Sequence, residues 1–95
     1  MIAMYILRCA DGSYYVGSAR DLEARMQQHA VGRGSRYTST RMPVELVFAH
    51  ECANIAEAYA AEKRVQGWSR RKREALIAGE QHLLPALSKK DFGGG

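Results

Sequence analysis

The chain has 95 residues and a net charge of +4, with 14 Lys and Arg against 10 Asp and Glu. That length supports one domain rather than two, and 46% apolar with 25% charged residues excludes an intrinsically disordered chain. The longest purely apolar run, Met1–Leu7, is too short to cross a bilayer, and with no charged stretch before it and no cleavage pattern after it the expected location is the cytoplasm.

Met1–Ala10 is apolar and suited to a strand. Asp11-Gly12 supplies a tight-turn signal, because both residue types tolerate positive φ, and Ser13–Ser18 reads as the returning strand. Over residues 19–31 the period changes: Asp21 is suited to an N-cap, and Leu22, Arg25, Met26 and His29 recur on one helical face. Gly32–Ser35 ends that helix and opens a polar, basic loop that Pro43 closes. Val44–His50 reads as a third strand. Asn54 followed by Glu57 resembles a capping box opening a helix from about Ile55 to Gln66, and Ser69 caps another that ends near Gly79. Gln81–Leu87 adds one more turn. The order is β-β-α-β-α-α, an α+β class: a small three-stranded antiparallel sheet flanked by helices. A single domain is expected over residues 1–87, with a flexible C-terminal tail over 88–95 that ends in three glycines.

The modest net charge conceals its distribution. Residues 1–31 are neutral, 32–42 carry +3 from Arg33, Arg36 and Arg41, 43–62 carry −4 ending at Glu62, and 63–73 carry +6, including Lys63, Arg70, Arg71 and Lys72. Clustered cations favour a polyanionic partner, although a solvated basic helix face gives the same pattern. Cys9 and Cys52, 43 positions apart, form neither a disulfide framework nor a zinc pattern, and Cys9 reads as core packing. No phosphate-binding glycine loop and no zinc-spaced His or Cys pair is present.

The distinctive feature is the tyrosine and arginine pattern. Tyr5 and Tyr15 lie on two strands that the turn brings side by side, and Gly17 leaves room there for the close approach of a ligand or of backbone. Arg25 and His29 project together, four residues apart. Their face also carries Leu22 and Met26, so Arg25 points toward the sheet, where a charge is costly unless it is paired or borders a cleft. Structural readings stand beside these: the tyrosines as aromatic rim residues, His29 as a satisfied buried histidine, Arg25 paired with Glu23 or Glu62, and Glu62 paired with Lys63 or Gln66. Tyr14 and Tyr59 read as packing, and Trp68 as a core or helix-wedge residue.

Tyr5 within Ala3–Leu7, Tyr15-Val16-Gly17, Arg25, His29, Gly32–Thr38, and Ala60–Arg64 leading to Trp68-Ser69-Arg70 together resemble the GIY-YIG nuclease superfamily, and more narrowly its small single-domain bacterial YhbQ/URI-type branch. The likeness covers about residues 4–79. It implies an endonuclease that hydrolyses DNA phosphodiester bonds with one Mg²⁺ or Mn²⁺, on single-stranded or branched and damaged DNA, in a DNA-repair setting. It makes Glu62 the metal ligand, Arg25 the catalytic arginine, Tyr5 and Tyr15 the paired tyrosines, and His29 and Tyr37 supporting residues. Water activation falls to Tyr5, Tyr15 or His29. Arg33, Arg36, Arg41, Lys63, Arg70, Arg71 and Lys72 are the expected nucleic-acid contacts. Ala3-Met4 departs from the Gly-Ile of the family name, and Ser18 and Gln66 stand where relatives carry Lys, so basic contacts are lost there. A non-catalytic nucleic-acid-binding module on the same fold is the alternative, and a protein-interaction adaptor using the basic helix is a third. RNA remains open as a substrate, and a homodimer or a protein partner is conceivable.

Overall fold

The computed structural model describes residues 1–80. The expected turn at 81–87 and tail at 88–95 lie outside the described residues. Three strands, β1 (Ala3–Arg8), β2 (Tyr14–Ala19) and β3 (Glu45–Glu51), form one antiparallel sheet in the order β2-β1-β3. Helices α1 (Leu22–Ala30), α2 (Arg36–Ser39), α3 (Ile55–Gln66) and α4 (Arg70–Ile77) complete an α+β fold.

The helix starts are set by local side-chain chemistry. The Asp21 carboxylate accepts the Ala24 N–H at 3.2 Å, Asn54 accepts that of Glu57 at 2.8 Å, and Ser69 accepts that of Lys72 at 3.2 Å. The Glu57 carboxylate reaches back to the Ala53 N–H at 3.4 Å rather than to the cap residue's own amide.

Side chains alternate across β1, so each of its faces owns a separate core. Met4 and Ile6 join Val16, Phe48, Val65 and Leu76 beneath α3 and α4. Ala3, Tyr5 and Leu7 join Ala19 and Leu22 on the α1 side. Burying each large apolar side chain contributes about 1.5–3 kcal/mol. Cys9 and Cys52 are buried free thiols, as core packing requires.

Several local features differ from the sequence reading. The β1–β2 connection is the five-residue stretch Cys9–Ser13 rather than a two-residue turn, because the Asp11 carboxylate folds back onto the Ser13 amide and hydroxyl, leaving Gly12 alone at positive φ (84°). The basic loop contains α2, nucleated when Ser35 caps the Thr38 N–H at 3.1 Å. Strand β3 runs to Glu51, one residue past the expected end, and its register slips opposite Ile6 and Leu7, where β1 pairs with Phe48 and then Leu46. Tyr59 is 53% exposed and lies beneath the Lys63 ammonium instead of packing inward. No helix among the described residues is long and apolar enough to cross a membrane.

Candidate active site

Strand β2 is an edge strand, so alternate carbonyls on its outer side have no strand to pair with. Val16 and Ser18, two residues apart, are such a pair. The Val16 carbonyl accepts from Gln66 Nε2 at 3.3 Å and the Ser18 carbonyl from Arg25 Nη1 at 3.4 Å. Ser18 also donates its hydroxyl to Glu62 Oε1 at 2.6 Å. Arg25 arrives from α1 on one side of the sheet and Glu62 from α3 on the other, and they meet at Ser18. Gln66, one helical turn after Glu62, donates to its Oε2 at 2.7 Å. Each Glu62 oxygen thus accepts one short hydrogen bond and keeps lone-pair capacity for another ligand. Arg25 pairs with a backbone carbonyl rather than with Glu23 or Glu62. Glu62 takes Ser18 and Gln66, not Lys63.

Inside this rim lies an aromatic group. The Tyr5 ring centroid is 6.3 Å from that of Tyr15 and 5.7 Å from that of His29, Tyr15 is 5.6 Å from His29, and Tyr37 stacks on Tyr15 at 6.1 Å. Tyr5 and His29 are buried, Tyr15 and Arg25 are half-buried, and Tyr37 reaches the surface. The room beside Gly17 is filled by Tyr5, not by a ligand: a Cβ at position 17 would stand 2.6 Å from the Tyr5 hydroxyl oxygen. Gly34 plays the same part on the other side, since a Cβ there would collide with the His29 ring.

A directed hydrogen-bond chain runs through the group. The Tyr5 hydroxyl is 2.9 Å from His29 Nε2, His29 Nδ1 is 3.0 Å from Thr38 Oγ1, and Thr38 Oγ1 is 2.8 Å from Ser35 Oγ. If Thr38 gives its one hydroxyl hydrogen to the Ser35 carbonyl at 3.3 Å, it accepts from both Ser35 Oγ and His29 Nδ1. That assignment leaves His29 Nε2 as an acceptor and makes Tyr5 the donor. Burial, and secondarily the Arg25 charge, hold the His29 pKa below its ordinary 6.5. Burial foremost, then Tyr15, push the Tyr5 phenol up to about 12 against the opposing pull of Arg25. At neutral pH the pair is a neutral imidazole beside a protonated phenol.

The expected cationic residues divide. Arg41 lies 3.8 Å over the Tyr37 ring and is tied to Asp11 Oδ2 at 3.1 Å. Arg70 lies 4.6 Å over the Tyr14 ring, donates to the Gly12 carbonyl at 2.9 Å and pairs with Glu74 at 3.2 Å. Lys63 and Lys72 sit over Tyr59 and Trp68. Arg33, Arg36 and Arg71 are exposed. The structure therefore gathers Tyr5, Tyr15, Arg25, His29, Tyr37 and Glu62, while the basic residues are spread over the surface around them.

Sequence reasoning missed the supporting roles of Ser18, Gly34, Ser35, Thr38 and Arg73. Arg73 donates to the Val65 and Gln66 carbonyls at 3.1 and 2.7 Å, tying down the C-terminal end of α3. The Glu62–Gln66 pairing weighed from the sequence is present, and Ser18, which reads from the sequence only as an absent lysine, holds the other Glu62 oxygen. The signal for that pairing was the four-residue Glu62–Gln66 spacing.

A polar cleft of about 420 Å³, lined by Ser18, Arg20, Arg25 and Gln28 among others, opens on one side of this rim, and one of about 190 Å³ opens at Tyr15 and Gln66. Among the described residues no three His, Cys, Asp or Glu side chains cluster as a metal site. A hydrated Mg²⁺ needs no such cluster, because it binds through one or two carboxylates and substrate phosphate and keeps its remaining waters. Glu62, pre-positioned with free lone pairs at an open rim, fits that requirement.

The chain is similar to a UPF0213 protein of Bacillus pumilus, 46% identical over 74 residues that cover 77% of this chain and 74% of that one. It is also similar to a UPF0213 protein of Streptococcus pneumoniae, 38% identical over 78 residues covering 82% and 79%. The solution NMR structure of a UPF0213 protein from Bacillus halodurans superposes with a TM-score of 0.55 at 39% identity, covering 83% of this chain and 84% of that one. The GIY-YIG catalytic domain matches residues 1–75, a span that contains every residue of the Ser18 rim and the tyrosine–histidine group, and the chain belongs to that family.

Proposed function

We propose that the chain is a single-domain, metal-dependent endonuclease that hydrolyses phosphodiester bonds in DNA, acting on single-stranded, branched or damaged substrates. The observation that carries this reading is the convergence of Arg25 and Glu62 on Ser18, beside a Tyr5–His29 pair set up to move a proton.

Glu62 would hold the Mg²⁺ or Mn²⁺, which when bound supplies positive charge at the leaving oxygen. Arg25 offsets charge on the non-bridging phosphate oxygens as the attacking water forms its bond to phosphorus and the ester P–O bond breaks. Tyr5, with its pKa at about 12, is a poor base acting alone. Its hydroxyl can take the water proton as it gives its own to His29 Nε2, so a neutral imidazole receives the charge. Of the three candidates for water activation this favours Tyr5 and His29 as one unit, with Tyr15 as the adjoining wall. Ser18 and Gln66 hold the Glu62 carboxylate in position.

The test is cleavage of labelled single-stranded, flapped, nicked and duplex DNA, and of the matching RNAs, with Mg²⁺, Mn²⁺ or EDTA. The expected result is metal-dependent cutting of at least one non-duplex DNA. Binding without cutting on every substrate would favour the non-catalytic module instead.

A further inference from the structure

We propose that the cleft of about 190 Å³ lined by Tyr14, Tyr15, Val16, Tyr37, Gln66 and Arg73 holds one unpaired nucleobase of the substrate strand, beside the phosphate that Glu62 and Arg25 address. The proposal deepens the nuclease reading and rests on it.

Position comes first. Gln66 lines this cleft and also donates to Glu62, and Tyr15 lines it while belonging to the tyrosine–histidine group. The larger cleft on the other side of the rim is lined by Ser18, Arg20 and Arg25 together with the carboxylate of Asp21, which caps α1. Ser18 in one cleft and Gln66 in the other are the two residues that hold Glu62. A strand running from the arginine-lined cleft to the tyrosine-lined one therefore crosses Glu62, with backbone favoured on the first side and a base on the second.

Size and chemistry then select the occupant. At about 190 Å³ the cleft falls below the ~300–1,000 Å³ of pockets for drug-sized ligands, so it takes one ring system and not a base pair. Three of its six lining residues are tyrosines, and bases stack on aromatic side chains whatever their identity. A guanidinium lies over two of those rings, Arg70 over Tyr14 and Arg41 over Tyr37, each also paired with a carboxylate, Glu74 and Asp11. Both Gln66 amide hydrogens are committed to Glu62 and the Val16 carbonyl, leaving its Oε1 as an acceptor. Arg73 has two of its five donors committed to carbonyls and keeps the rest. An acceptor and a donor beside aromatic walls suit a planar heterocycle with mixed edges.

The experiment measures binding without cleavage. Fluorescein-labelled 12-nucleotide single strands, each with one abasic position walked along the sequence, are titrated with the protein in EDTA at fixed salt. The expected result is one position at which base removal weakens wild-type binding by about tenfold, while other positions change little. Tyr37→Ala should bind the intact strand about tenfold more weakly and lose that position dependence, and Tyr37→Phe should keep both. Tyr37 is 38% exposed on a short helix, so its truncation leaves both cores in place, and the walk on wild type needs no variant. A strand that binds well but shows no sensitive position overturns the cleft assignment and leaves the nuclease reading standing. Failure of wild type to bind any nucleic acid overturns both.

Discussion

The two faces of β1 come from alternate residues of one six-residue strand and hold opposite contents. Toward α3 and α4, Met4 and Ile6 join an apolar cluster with Val16, Phe48, Val65 and Leu76. Toward α1, Tyr5 stands between them and carries a hydroxyl into the interior, where His29, Thr38 and Ser35 accommodate it in a continuous hydrogen-bond chain. No buried side-chain polar atom among the described residues lacks a partner. The first face can be read as stability. The second costs desolvation and loop ordering to keep a phenol and an imidazole in one orientation.

That contrast can be broken by substitution. Arg25→Ala should give a large loss on the site side, about 100- to 1,000-fold in cleavage, with the melting curve little changed. Ile6→Ala should do the reverse, lowering unfolding free energy by about 2–5 kcal/mol while the protein that remains folded cuts at the normal rate; denaturant titration beside a rate assay reads both. Tyr5→Phe removes the hydroxyl that contacts His29 and faces Arg25, so cleavage should fall by at least about 100-fold with about 1 kcal/mol of stability lost. Equal losses of both quantities in Ile6→Ala and Tyr5→Phe would erase the distinction between the faces.

Smaller effects sharpen it. Because the native His29 pKa lies below 6.5, the unfolded chain binds more protons than the native one as pH falls under that value. The His29 contribution to unfolding free energy should therefore be level above pH 6.5 and decline as pH drops toward the native pKa. His29→Gln should flatten that part of the profile. Arg8→Ala, which removes an exposed pair with Glu45 at 2.8 Å, should change stability by no more than about 1 kcal/mol and leave cleavage untouched.

What the sequence disclosed follows the range of the interactions involved. The caps Asp21, Asn54 and Ser69 act over three residues and were legible as such. The α1 face was legible from its period, and Arg25 and His29 with it. Helix α2 has four residues, too few for any period to show. Thr38 reaches His29 across nine positions and Ser18 reaches Glu62 across 44, contacts that no local pattern encodes. Glycine 17 was legible as a close approach, but not as one made by Tyr5. Pattern alone singled out Tyr5, Tyr15, Arg25 and His29, with Arg25 the most informative by physics, while Glu62 as a metal ligand and the tyrosines' catalytic role came only from resemblance to a family.

The most direct test is Glu62→Gln, which preserves shape and removes the charge. It is compared with wild type on the best-cut DNA in Mg²⁺ and in Mn²⁺, with DNA affinity measured in EDTA and Mn²⁺ binding followed by electron paramagnetic resonance. The account predicts that cleavage falls by at least about 1,000-fold and Mn²⁺ binding is lost, while melting and DNA affinity stay near wild type. Metal-dependent cleavage that survives Glu62→Gln at close to the wild-type rate would contradict it.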